Sequence, residues 1–248
     1  MTFGQHLEEL RWRLIKSVVM LAFTTIAMMV VYESLLHFVT RPHFAAMKLL
    51  GRSEKDSLLM NIGYTAPIWS VMKLGFILGF FIASPWIAYQ IWAFVSSGLY
   101  RHEKKWVQIF APFSFLLFVA GCTFGYFVLI PYGLYGMAAM FSLDVVSQQY
   151  ALKDYLDLVI TLTLATGAIF QLPLIMCFTT AIGLTTAKSW WKWTRIAIVV
   201  IFVVAAVLTP SPDIYSQLLM AVPLLVLYFV GMLLCVMIRP RKKPAAAA

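Results

Sequence analysis

Carboxylates at two places carry most of the chemistry that this chain offers. Glu8 and Glu9 sit in His6-Leu7-Glu8-Glu9-Leu10-Arg11-Trp12-Arg13, and Glu103 sits in Leu99-Tyr100-Arg101-His102-Glu103-Lys104-Lys105. A carboxylate accepts a bidentate pair of hydrogen bonds from a guanidinium, a planar fork that lysine cannot reproduce. Both places also have an ordinary structural reading. Glu9 and Arg13 are spaced for an intrahelical pair in the favourable order, and Glu103 can pair with its neighbouring lysines as a solvated surface charge. The third candidate is Gln171, 14 residues from Asp157 and 17 from Lys188 within an uncharged stretch. It reads either as an interior contact for a partner helix or as a local feature of Pro173, whose missing N–H frees the carbonyl of Ile169.

The elements that must position these groups are membrane spans. Hydrophobic residues make up 62% of the 248 and charged residues 12%, against about 45–50% and about 25% in ordinary soluble domains. Such a chain cannot cover itself with polar surface. Uncharged stretches long enough to cross about 30 Å of hydrocarbon as helix place six spans at about 17–39, 74–95, 106–130, 158–182, 196–209 and 218–238. The expected fold is all-α, a single six-span membrane domain over 1–238. No loop is long enough to hold a core of its own. Residues 239–248 read as a short basic cytoplasmic tail, whose closing run Ala245–Ala248 has the composition of an expression remnant. The first span reads as permanent, because His6 to Lys16 is not a short basic leader and no small-residue cleavage site follows the apolar run.

Three details qualify the spans. Pro85, Pro173 and Pro223 fall within them, which predicts kinks unless neighbouring helices absorb them. The third span is expected to stop at Pro131. The fifth, Ile196 to Thr209, would rise only about 21 Å and so sit in thinned bilayer or against protein, with Ile198–Val207 as a docking surface. Its alternative is an earlier start within Trp190–Trp193.

Charge sets the orientation. One face collects Arg11, Arg13, Lys16, Arg101, Lys104, Lys105, Lys188, Lys192, Arg195, Arg239, Arg241, Lys242 and Lys243, against only Glu8, Glu9 and Glu103. The other face holds Arg41, Lys48, Arg52, Lys55, Lys73 and Lys153 with the remaining acids. Lys and Arg accumulate on the cytoplasmic side, so both termini are expected there. The same rule accounts for the net charge of +9 without nucleic acid as a partner, and leaves lipid as the surroundings.

Enzyme signatures are absent: there is no HExxH, GxSxG, phosphate loop or GxGxxG on a strand. Cys122, Cys177 and Cys235 lie in apolar runs without metal-ligand spacing, so they read as small buried hydrophobes and no metal or cofactor is expected. The competing class is a small-solute or ion-coupled transporter, which would be expected to carry midplane binding groups and internal repeats. The spans present neither a midplane charge nor a clear repeat.

The two acid-bearing segments have neighbours that form longer motifs. His6-Leu7-x-Glu9-Leu10-Arg11-x-Arg13 resembles the N-terminal signature of the TatC family, a subunit of the twin-arginine protein translocase. Ser84-Pro85-x-x-x-Tyr89-Gln90-x-Trp92-x-Phe94-Val95 followed by Gly98-Leu99-Tyr100-x-x-Glu103 is similar to that family's second span and first cytoplasmic loop. Leu208-Thr209-Pro210-x-Pro212-Asp213 with Ser216-Gln217 is similar to its last outer turn. The resemblance implies a concave, glove-like arrangement of six spans in the bacterial inner membrane, with short fifth and sixth helices. It further implies binding of twin-arginine signal peptides, assembly with single-span TatA- and TatB-type subunits and other copies of the chain, and export of folded proteins driven by the proton-motive force. By the same resemblance the signal-binding acids are Glu9 and Glu103, with Arg11 and Phe94 beside them, while Pro42 and Asp213 match outer-face positions. Two departures stand out. Ser97 replaces the proline usual before Gly-Leu-Tyr, and Gln171, which does not titrate, occupies a position where relatives often carry Glu.

The charge asymmetry makes a direct prediction. Cysteines introduced at Ser53 and Gln148 will react with an impermeant thiol reagent added to intact cells, and those at Lys104, Lys192 and Lys242 will not. Outside labelling at position 104 would overturn the topology.

Overall fold

The computed structural model describes residues 3–53, 57–101, 103–140, 149–209 and 213–238. The Ala245–Ala248 run and the Pro210 to Pro212 part of the last-turn motif lie outside the described residues. The helices are α1 (Phe3–Met29), α2 (Tyr32–Leu49), α3 (Ala66–Ser97), α4 (Lys104–Phe124), α5 (Ile130–Met140), α6 (Leu152–Ile169), α7 (Leu172–Ala181), α8 (Ala187–Leu208) and α9 (Ile214–Met237). A π-helical turn, Gly125–Leu129, joins α4 to α5. Among the described residues, six stretches are long and apolar enough to cross a membrane: Gly4–Met29, Ala66–Ser97, Lys104–Ala139, Leu152–Ala181, Ala187–Leu208 and Ile214–Met237. The strands β1 (Leu59–Met60) and β2 (Tyr150–Ala151) pair in parallel.

Pairing of α1 with α3 is unusually close. Gly75 and Gly79, four residues apart on α3, lie under Thr25 and Met29 of α1. A Cβ at Gly79 would fall 2.6 Å from the Thr25 backbone nitrogen, and one at Gly75 2.9 Å from the Thr25 carbonyl oxygen. Small residues at this spacing let membrane helices bring their backbones together. The Thr24 hydroxyl then reaches across to the Gly79 carbonyl at 2.9 Å. Residues on the opposite face of α1, such as Val19, Phe23 and Ile26, stay exposed.

The expected first span, 17–39, is divided. The chain turns at Val30 and Val31, where i to i−3 bonds close α1, and α2 leaves to pack against α5. No proline or glycine causes this break. Burial of Ala46 and Met47 of α2 with Ala138 of α5, and of Val39 in the main core, wins over helix continuation. The result is a small cap with its own apolar cluster on the face opposite the N-terminus, where the sequence reading had allowed for none.

The prolines behave differently from one another. Pro85, Pro112 and Pro223 are absorbed inside continuous helices. Pro173 separates α6 from α7 at Phe170 and Gln171. Helix does not stop at Pro131, because the π-helical turn immediately before it adds a residue to the backbone path and lets α5 continue. Pro42, inside α2, cannot donate to the Phe38 carbonyl four residues back. The Tyr126 hydroxyl takes that carbonyl instead, and the Tyr155 hydroxyl bonds the Val39 carbonyl at 2.5 Å. His43, one residue on, is buried with its Nε2 donating to the Ser57 carbonyl at 2.8 Å, and burial pushes its imidazole pKa down.

The fifth span is not short. Thr186 caps α8 by accepting from the Ser189 amide at 3.2 Å, so the helix has 22 residues and spans about 33 Å. The charged Lys188, Lys192 and Arg195 had excluded its first three turns from an uncharged window, but long basic side chains extend from a helix end to the interface. A parallel case is Lys73 with Asp157, expected outside the second and fourth spans. Both lie within helices, α3 and α6, paired at 2.5 Å. Cys122, Cys177 and Cys235 are buried and unbridged.

Two outcomes are expected from this packing. Gly79→Leu will force α1 away from α3, with destabilisation of about 1–3 kcal/mol or more measured by thermal unfolding in detergent. Tyr126→Phe will cost about 1–3 kcal/mol by leaving the Phe38 carbonyl unpaired. In a Pro42→Ala background, whose new N–H can serve that carbonyl, the penalty measured by thermal unfolding in detergent will be smaller.

Candidate functional site

The close α1–α3 pairing carries its register to the end of the bundle that holds the N-terminus. His6 stacks on Phe94 with ring centroids 4.4 Å apart and 19° between planes. Arg13 reaches the Gln90 side-chain oxygen at 3.3 Å. Glu9 lies between these two contacts. Its Oε1 takes both Arg13 bonds, at 2.5 Å and 3.0 Å, so the intrahelical pairing anticipated from spacing is made. Its Oε2 is enclosed without a well-aligned hydrogen bond, and the Ser97 hydroxyl and His6 imidazole lie beside the carboxylate. The nearby Ser97 hydroxyl donates to the Phe94 carbonyl at 2.8 Å and touches His6 Nδ1 at 3.5 Å. Ser97, the departure from proline noted in the sequence, therefore binds the end of α3 to the start of α1.

Glu103 stands where the six-residue connection from α3 enters α4. It occupies the N-cap position, and its carboxylate accepts from the Tyr100 amide at 3.0 Å. A carboxylate at a helix start is favoured by the unpaired N–H groups there. Glu9 and Glu103, 94 residues apart in the chain, thus flank the same end of α3. Arg11 is exposed on α1 and makes no side-chain bond among the described residues, and Phe94 is half-buried under His6.

The other positions separate from this cluster. Pro42 is buried in α2 in the opposite cap. Asp213 caps α9, accepting from the Ser216 amide at 2.6 Å, a structural use of the residue. Gln171 lies between the two. Its oxygen accepts from the Ser114 hydroxyl at 3.0 Å and its nitrogen donates to the Ser114 carbonyl at 2.9 Å. This pair clips the α6–α7 break to α4. It borders a mostly apolar hollow of about 360 Å³ whose wall also includes Ser84, Trp92 and Phe178.

His6, Gln90, Ser97 and Ser114 were not singled out from the sequence as site residues. Gln90 and Ser114 had a usable signal: each is a hydrogen-bonding side chain inside an apolar span, where a polar group needs an internal partner. Among the described residues no group of three or more His, Cys, Asp or Glu is placed to hold a metal ion.

Residues 5–223 match the model of the family described as Sec-independent protein translocase protein (TatC). A relative from Koribacter versatilis, named Sec-independent protein translocase protein TatC, is 33% identical, covering 98% of this chain and 88% of its own. The TatCy protein of Bacillus subtilis is 35% identical over 94% of this chain and 88% of its own. A crystal structure of the twin arginine translocase receptor TatC superposes with a TM-score of 0.77 at 28% identity, covering 94% of this chain and 98% of that one. A second crystal structure of that receptor, in DDM, superposes with a TM-score of 0.80 at 29% identity, covering 93% and 99%. With six helices long and apolar enough to cross a membrane, and with that match running over nearly its whole length, the chain is a multi-pass membrane protein of the TatC family of Sec-independent protein translocases.

Proposed function

We propose that this chain is the receptor subunit that reads twin-arginine signal peptides at the face bearing the N-terminus. That face lies in the cytoplasm of a bacterial inner membrane. The observation that carries the reading is the convergence of Glu9 and Glu103 at one end of α3, with Oε2 of Glu9 enclosed beside the Ser97 hydroxyl. A basic signal segment approaching a face rich in Lys and Arg is repelled except where acids interrupt the field.

Glu9 is held by Arg13, which Gln90 steadies. An incoming guanidinium therefore bonds Oε2 after the Ser97 and His6 contacts shift, or takes the place of Arg13 on Oε1. In either case arginine supplies two aligned donors where lysine supplies a point charge. Phe94, under His6, gives an apolar platform beside this acceptor, while Arg11, exposed on another face of α1, contributes to the field that rejects other basic segments. Bound precursor would then be passed to TatA- and TatB-type single-span subunits and further copies of this chain, for export of the folded protein using the proton-motive force. The exposed apolar face of α8, including Val199, Val203 and Val207, supports a docking role for that helix. Its length no longer requires bilayer thinning.

Precursor binding at fixed salt tests the site. Glu9→Ala and Glu103→Ala will each weaken binding by roughly ten- to a hundredfold, the scale of one charged hydrogen bond, while insertion is retained. Glu8→Ala will have little effect. Exchanging the paired arginines of the precursor for lysines will cost less in Glu103→Ala than in the parent. An equal penalty in both backgrounds would remove Glu103 from contact with the arginines.

A further inference from the structure

The end of α1 at Met29 uncovers part of α3 on the side of the molecule away from the N-terminus. Where the chain turns away at Val30 and Val31, a slot of about 290 Å³ opens between α1, α2, α3, α6 and the α4 to π-turn segment. Its floor is buried: Val39 is 2% exposed, Cys122 0% and Val159 1%. Its rim faces outward through Phe38, Ile82 and Phe127, each at least 42% exposed. The lining is apolar apart from Thr123, Thr163 and Tyr126, and the Tyr126 hydroxyl is already committed to the Phe38 carbonyl.

A slot of this size cannot take another helix, whose diameter with side chains is about 10–12 Å. It can take a single flexible hydrocarbon chain. Left empty, its lining would forfeit dispersion contacts that a chain restores.

Among the described residues, a cation stands at the rim. The Arg41 guanidinium lies 5.9 Å from the centre of the Phe38 ring, which itself lines the slot, and Arg41 makes no ion pair among the described residues. The acid of α2, Glu33, is more than two turns away and receives the Tyr32 hydroxyl at 3.2 Å. An apolar slot whose mouth holds a guanidinium with no ion-pair partner among the described residues is complementary to a molecule with one hydrocarbon tail inserted and an anionic phosphate outside. We propose that this slot is a binding site for an anionic phospholipid of the membrane leaflet on the side of the α2–α5 cap, one acyl chain lying in the slot and the headgroup phosphate on Arg41.

The site is independent of signal recognition, which lies at the other end of the molecule. The test reconstitutes the full chain in nanodiscs containing equal amounts of phosphatidylglycerol and phosphatidylcholine with identical acyl chains, then measures co-purifying lipid by mass spectrometry after mild extraction. The parent is expected to retain phosphatidylglycerol about fivefold over phosphatidylcholine, the scale of one basic side chain at an anionic lipid surface. Arg41→Gln will abolish that preference while still retaining lipid. Leu78→Trp, which fills the slot, will lose both lipids. Ile82→Trp at the exposed rim takes its place where Leu78→Trp does not fold, as judged by circular dichroism. A phosphatidylglycerol carrying a photoreactive group near its chain end will label Cys122 or its slot neighbours in preference to the exposed faces of α1 and α8. Inorganic phosphate will not displace the lipid. Equal retention of the two lipids by the parent, an unchanged preference in Arg41→Gln, uniform photolabelling, or displacement by phosphate would each overturn the proposal.

Discussion

The contact on which the molecule depends is the approach of α1 to α3 over Gly75 and Gly79. With no hydrophobic effect to drive helices together inside lipid, close backbone packing supplies much of the attraction. Here it also fixes a register between two segments that are far apart in the chain. The position of Thr25 on Gly79 determines that Arg13 meets Gln90 and that His6 meets Phe94. A change of one residue in that register would rotate Glu9 away from the end of α3 altogether. The proposed recognition site is therefore a distant product of two missing side chains.

Much of this was legible in the sequence. Hydropathy gave the six spans because lipid demands long uncharged helices, and the acids of the basic face were visible because so few interrupt it. What escaped were effects of tertiary partnership. Lys73 and Asp157 look like span boundaries when each is considered alone, yet they lie inside helices because they neutralise each other. Lys188, Lys192 and Arg195 likewise hid the first turns of α8. The break after Met29 has no local breaker to announce it, since it is decided by what α2 buries further along.

The candidate site shows the same division. The i,i+4 spacing of Glu9 and Arg13 correctly foretold their pairing, but nothing in the spacing indicated that Gln90 would hold the arginine or that Ser97 would join the two helix ends. Gln171 was ambiguous between a partner contact and a local proline effect. Its two hydrogen bonds to Ser114 belong to neither reading: they are a clasp between α4 and the interrupted α6–α7 span. A glutamine suits that task because it offers a donor and an acceptor at once.

The π-helical turn at Gly125–Leu129 has a bearing on how the cap is aimed. One additional residue in a helix advances the azimuth of everything after it by about 100°, the angular step of an α-helix. Helix α5 is thus a continuation of α4 in direction but not in phase. It turns Gly136 onto Tyr215 of α9 and Ala138 into the cluster with Met47 of α2, contacts that an uninterrupted α-helix would point elsewhere. The extra residue acts as a swivel set at one angle, orienting the cap without altering the membrane-spanning part below it.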